Sequence, residues 1–196
     1  MDNKKINPDY HLKFKVCVSG AAETDFMAPD AMEKIEAIGK YIAQDGMITV
    51  TGATTGAPYW AAKGAKQAGG IVVGISPAAT KREHIELYKL PLEHHDLIIY
   101  TGFGYSGRNL LLTRSSDAVI TVCGRIGTLN EFTDAFEDGK PQGVLLGTGG
   151  TTEMIKDILE AAHRGNGKVV FDTDPKALIE KVKVMIADDE KALGIE

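Results

Sequence analysis

Apolar and polar positions along the chain fall into two alternating rhythms. Short runs rich in β-branched residues recur at 14–19, 47–51, 71–75, 97–101, 117–123, 143–147 and 168–171. Between them lie stretches whose apolar residues are three and four apart, the spacing of one helix face. Ala31, Ile35, Ile38 and Ile42 form the first such stripe, and Gly46 comes next, where a left-handed C-cap is needed. The second stretch aligns Ala57, Ala61, Gly64 and Ala68, small enough for the helix backbone to lie close to a sheet, and stops at Gly69-Gly70. A short third helix is predicted at about 107–115, a fourth from near Thr128 with Leu129, Phe132 and Phe136 inward, and a fifth around Ile155, Ile158, Leu159 and Ala162. In the last helix Asp174 is the N-cap, Pro175 the first helical residue, and Leu178, Val182, Met185 and Ile186 the buried stripe. Residues 78–96, polar and irregular, read as a surface excursion. Strands alternating with helices predict an α/β fold, a single doubly wound, Rossmann-like domain with about seven mostly parallel strands. That domain is expected to span 13–196, behind an N-terminal extension of residues 1–12.

Composition narrows the function classes. A chain of 196 residues buries about 70% of its unfolded surface, and 43% hydrophobic with 25% charged residues excludes a disordered chain. The net charge of -5, with Lys and Arg dispersed, argues against nucleic acid as a partner. Cys17 and Cys123 stand far apart in apolar runs and supply neither a zinc ligand set nor a disulfide framework, which fits a reducing cytoplasm. The apolar stretch Val16-Cys17-Val18 is too short for a signal peptide, and no segment is long enough to span a membrane. His94 and His95, adjacent on an extended segment, point to opposite faces, so no metal site is expected.

The turns after the strands are informative, because open parallel sheets bind ligands beyond the carboxyl ends of their strands. Four of these turns are rich in glycine: Ser19-Gly20-Ala21, Thr51-Gly52-Ala53-Thr54-Thr55-Gly56, Gly102-Phe103-Gly104-Tyr105-Ser106-Gly107 and Gly124-Arg125-Ile126-Gly127-Thr128. Such turns feeding helix N-termini gather free N–H groups and positive dipole ends around one crevice, as a phosphate requires. The candidate phosphate or nucleotide contacts are therefore Ser19, Gly20, Gly52, Thr54, Thr55, Gly56, Gly104, Gly107, Gly124, Arg125, Gly127 and Thr128. Gly102, Gly104 and Gly107 also satisfy G-x-G-x-x-G, but on the fourth strand, and the next strand ends in Cys123-Gly124-Arg125 with no acid to hold a ribose hydroxyl. A P-loop pattern is absent from the chain. Tyr59, Trp60 and Tyr105 border the turns, where an aromatic ring can stack on a base or pterin.

The segment from Arg108 through Asp117-Ala118 to Cys123-Gly124-Arg125-Ile126-Gly127-Thr128-Leu129-Asn130-Glu131 resembles the signature of the LOG family: an Arg, a strand beginning Asp-Ala, then P-G-G-x-G-T-x-x-E. Val16 through Gly20 and Gly46 through Pro77 agree with the family's upstream half, so the likeness covers about residues 14–163. It implies a Rossmann-like fold, a homodimer or larger homo-oligomer, and cleavage of nucleoside 5′-monophosphates into base and ribose 5-phosphate, with no resident cofactor. The family's catalytic Arg and Glu fall on Arg108 and Glu131. Two departures stand out. Cys123 replaces the proline and Arg125 the second glycine, while the glycine run after the second strand is diluted by Ala53, Thr54 and Thr55. These, with Gly147-Thr148-Gly149-Gly150, look more like the sister branch that includes molybdenum-cofactor carrier proteins, whose members bind a phosphorylated pterin or have no known activity.

Both branches leave the same residues to explain. A glycosidase needs a carboxylate near the oxocarbenium-like sugar and an anchor for the phosphate, roles open to Glu131 and Arg108. Thr128-Leu129-Asn130-Glu131 also reads as a capping box, with Glu131 returning to the N-cap amide. Arg108 at a helix start opposes the dipole, which suggests an anion nearby. Arg125 reads equally as a phosphate ligand or as a surface arginine.

Overall fold

The computed structural model describes residues 12–192; the rest of the expected N-terminal extension, residues 1–11, lies outside them. Seven strands form one sheet: β1 (Lys15–Ser19), β2 (Ile48–Thr51), β3 (Val72–Ser76), β4 (Leu97–Tyr100), β5 (Ala118–Thr121), β6 (Gln142–Leu145) and β7 (Val169–Asp172). Their order is β4-β3-β2-β1-β5-β6-β7, and each neighbouring pair is parallel. The chain winds outward from β1 to β4, then returns to the other side of β1. The gap between β1 and β5 is therefore the switch point where a crevice opens.

Six helices cover the two faces: α1 (Ala31–Gln44), α2 (Ala57–Gln67), α3 (Gly104–Arg114), α4 (Ile126–Glu137), α5 (Ile155–Ala161) and α6 (Pro175–Ala192). Val16, Val18, Ile120 and Val122 point one way and meet Ile35, Ile38 and Ile42 of α1 and Leu178, Val182 and Ile186 of α6. Cys17 and Val119 point the other way, toward Leu112 of α3 and Ala135 of α4. With a side-chain period of two, Ser19 shares the face of Cys17 and looks toward α3 and α4. Gly46 takes a left-handed φ of +74° after α1, and Asp174 Oδ1 accepts from the Ala177 amide at 2.8 Å to cap α6.

Three details differ from the sequence reading. Helix α3 begins at Gly104 and α4 at Ile126, each a few residues early. The small face of α2 meets a helix as well as the sheet: a Cβ on Gly64 would run into the Glu36 carbonyl of α1, and one on Gly39 into the Ala61 carbonyl. The 78–96 excursion holds a π-helical turn, Glu83–Leu87, whose His84 is wholly buried. Its Nε2–H donates to the Pro91 carbonyl at 2.9 Å and Nδ1 accepts from Ser76 Oγ at 2.8 Å, so the excursion is pinned to β3. Among the described residues no helix is long and apolar enough to cross a membrane.

Candidate functional site

A cleft of about 330 Å³ opens at the switch point, beyond the carboxyl ends of β1 and β5. Gly20, Thr54, Arg108, Arg125, Gly127, Thr128 and Glu131 line it, with Tyr105, Asn109 and Ile126. At its base, Arg108 from α3 and Glu131 from α4 have side chains only 6% and 7% exposed. Arg108 Nη1 donates to Glu131 Oε1 at 3.3 Å, and Ser19 Oγ donates to Glu131 Oε2 across 112 positions of sequence. Oriented with its nitrogen toward Glu131, the Asn109 carboxamide donates to Oε1 at 2.8 Å and to the Tyr105 carbonyl at 2.9 Å. Burial pushes the Glu131 carboxyl above its usual range, against the opposing pull of Arg108 and Ser19. Arg108 Nε has no partner among the described residues, so the buried guanidinium is only partly satisfied.

Gly52 is the seat of that guanidinium. A Cβ there would strike Arg108 Nη1 and stand 2.8 Å from Cζ. Gly52 thus holds the cation that faces the cleft, without lining the cleft itself. Gly52→Ala is expected to fold, because the obstructed atoms end a flexible side chain, and to push the guanidinium away from Glu131. Calorimetric titration with inorganic phosphate, read beside the melting temperature, is expected to show weakened binding with the fold intact.

The start of α4 corrects the capping-box reading. Arg125 remains extended (φ −119°, ψ −164°) as the N-cap, and Thr128 Oγ1 accepts from the Arg125 amide at 3.4 Å. Thr128, the third residue of the helix, thereby takes the part assigned to Glu131. Glu131 lies about a turn and a half in, on the buried face. Helix geometry leaves the amides of Ile126, Gly127 and Thr128 without intrahelical acceptors at the cleft mouth. There Arg125 Nη1 lies 2.5 Å from Glu23 Oε2, both side chains more than half exposed.

Of the other predicted residues, Gly20 lines the cleft, whereas Thr55, Gly56, Gly104, Gly107 and Gly124 lie outside the lining. Gly20 is also pressed between Ala57 and Val122, where a Cβ would come within 2.8 Å of each. Gly56, at φ +70°, backs onto the Ala21 and Ala22 carbonyls, and Thr55 Oγ1 donates to the Ala22 carbonyl at 3.1 Å. Gly104 and Gly107 lie in the first turn of α3, outside the lining. Gly124 pairs with Gly150 in an isolated parallel bridge beside the cleft. His94 turns to Tyr59 and His95 to Thr51. The loop Gly147–Gly149 turns its three amides onto Glu153 Oε1, at 2.8 to 3.1 Å. Sequence reasoning missed Asn109 and Glu23; the glutamate carries no pattern, whereas Asn109, next to Arg108 on a helix without an apolar stripe, was a readable hint.

Residues 13–179 match the model of the SLOG cluster4 family. The chain belongs to that family. A protein of unassigned function from Archaeoglobus fulgidus is 34% identical over 126 residues, 64% of this chain and 76% of that one. The fold superposes on the molybdenum cofactor binding protein of Rippkaea orientalis with a TM-score of 0.74 and 30% identity, covering 90% of this chain and 99% of the other. The molybdenum cofactor carrier protein of Chlamydomonas reinhardtii gives a TM-score of 0.72 at 30% identity, with the same coverage of 90% and 99%. The SLOG fold seen here is thus a LOG-like, nucleotide- or ligand-binding one, of the branch that includes the carriers.

Proposed function

We infer that this SLOG protein binds a phosphorylated heterocycle, a nucleotide or a pterin, and holds it without turning it over. The phosphate lies at the N-terminus of α4, against the amides of Gly127 and Thr128, with Arg125 beside it and Arg108 below. The observation that carries this reading is the partly satisfied Arg108: a cation buried to 6% exposure, with a free Nε, at the floor of a cleft into which a helix N-terminus opens. Leaving a buried charged group short of partners lowers stability, and a bound anion restores it. Both Glu131 oxygens are already engaged by Ser19, Arg108 and Asn109, so the carboxylate organises the site and has little lone-pair capacity left for a water. The 30% identity to two molybdenum cofactor binding proteins across nearly their whole length favours a pterin as cargo. The same reading takes the protein as cytoplasmic and homo-oligomeric.

A second reading, hydrolysis of the N-glycosidic bond, is favoured by the raised pKa of Glu131 beside a cation in a cleft. There Glu131 would stabilise the sugar cation and Arg108 the phosphate. A chromatographic assay of nucleoside 5′-monophosphates separates the two, with Glu131→Gln alongside. The expected result is no free base and no ribose 5-phosphate from either protein. Release by the native protein that Glu131→Gln abolishes would overturn the binding reading and assign the carboxylate. The near-ultraviolet spectrum of freshly purified protein is expected to carry the band of a bound pterin beyond that of purines.

A further inference from the structure

Beside the cleft, on the far side of Arg125, lies a notch of about 380 Å³ that the binding reading leaves unused. Three large apolar side chains from three separate segments wall it: Phe26 before α1, Ile126 at the start of α4, and Met154 before α5. They are 37%, 76% and 56% exposed, a concentration of uncovered apolar surface at one spot. The floor is bare backbone. Gly124 bridges to Gly150, and a Cβ on Gly150 would meet the Gly124 carbonyl and stand 2.9 Å from Phe26 Cε2. Polar groups along that floor are matched within the protein: the Thr151 amide donates to the Gly124 carbonyl at 2.8 Å, and Thr151 Oγ1 to the Arg125 carbonyl at 3.1 Å. The result is an open, apolar strip between exposed hydrophobic walls, the form that suits an aromatic ring.

Arg125 and Ile126 line both the cleft and the notch, so the two are continuous across one residue pair. Arg125 is held there by its ion pair with Glu23, exposed at both partners and therefore easily opened. The geometry points to the notch as the seat of the ligand's heterocyclic ring, the phosphate remaining at the start of α4. This rests on the phosphate-binding reading and adds where the rest of the molecule goes. Arg125, exchanging Glu23 for the ligand's anion, would close over the linkage between ring and phosphate. Arg125, which stands where the LOG pattern has a glycine, then has a role that a glycine cannot fill.

The test is calorimetric titration of the full chain with ribose 5-phosphate, with GMP, and with the phosphate ester of a hydroxymethylpterin. At least one ring-bearing ester is expected to bind roughly tenfold or more tighter than ribose 5-phosphate. Met154→Ser, which touches the notch and not the cleft, is expected to erase most of that advantage while leaving ribose 5-phosphate binding unchanged; Met154→Leu should retain it. Equal affinity for ribose 5-phosphate and both ring-bearing esters, or an advantage that survives Met154→Ser, would overturn the ring seat alone. An unchanged ring advantage together with a lower sedimentation mass in Met154→Ser would instead make the notch a contact between copies of the chain. If ribose 5-phosphate and both esters all fail to bind, the phosphate site itself is wrong and the notch assignment falls with it.

Discussion

Arg108→Met is expected to destabilise the protein by about 3 kcal/mol at pH 8, and by much less near pH 4, because it strands Glu131 without its cation. Burial already holds the Glu131 carboxyl above the usual glutamate range, and Arg108 is the main influence pulling it back. With the guanidinium gone, the folded-state pKa climbs further while the unfolded value stays put. Between those two values the folded form carries more protons than the unfolded one, so stability falls as pH rises through that interval. The deficit relative to the native protein is thus small below about pH 4, the ordinary range of an unfolded glutamate, and complete above the raised pKa. Urea unfolding at several pH values measures it, and a deficit of about 3 kcal/mol corresponds to a melting temperature roughly 6–12 °C lower in a chain of this size. Phosphate binding should weaken more than tenfold as well, since a charge-assisted pair contributes about 1.5–3 kcal/mol. A pH-independent deficit would show that Arg108 and Glu131 are not coupled in the way their geometry implies.

Gly64→Ala is expected to reverse the ordinary sign of a glycine-to-alanine change in a helix. Within α2 an alanine should add about 1 kcal/mol through propensity alone. Here its Cβ would enter the Glu36 carbonyl of α1 and stand 2.8 Å from that residue's carbonyl carbon, a backbone obstacle that no rotamer change can clear. The two helices must part, and because the obstacle is backbone the overpacking cost lies at the upper end of the usual range, about 3 kcal/mol, giving a net loss of roughly 2 kcal/mol by thermal melting. Gly39→Ala meets Ala61 in the same way, and the double variant should cost less than the sum, since the helices separate once.

The seven strands were legible because short runs rich in β-branched residues mark them, even at the edge, where Leu97 and Ile99 of β4 are exposed, and every predicted run overlaps an observed strand. The start of α3 was not, for a reason that lies in the site. Its buried positions are Arg108, Asn109, Leu112 and Thr113, so the helix has no apolar stripe to betray it. Periodicity finds faces that meet hydrocarbon, and this face meets a carboxylate. His84 was hidden in the same manner, its burial sustained by two hydrogen bonds that a polar sequence does not advertise. Glu131 was legible as a residue of interest through its motif, yet its local reading as a cap failed, because its partners Ser19 and Arg108 are distant in sequence. The walls of the notch carried no sequence signal, because Phe26, Ile126 and Met154 come from three segments far apart in the chain.

The return of the chain to β1 has a consequence for when the protein becomes competent. β1 cannot have both its edges paired until β5 has been made and has docked, and the Ser19–Glu131 contact needs α4 as well. Contacts of such long range are among the last for which a folding chain meets the entropy of closure. A nascent molecule that has completed only β1 to β4 still lacks Glu131 and with it the floor of the cleft. Ligand binding therefore reads out completion of the sheet, and a ligand that binds only the finished site acts as a clamp across its two halves.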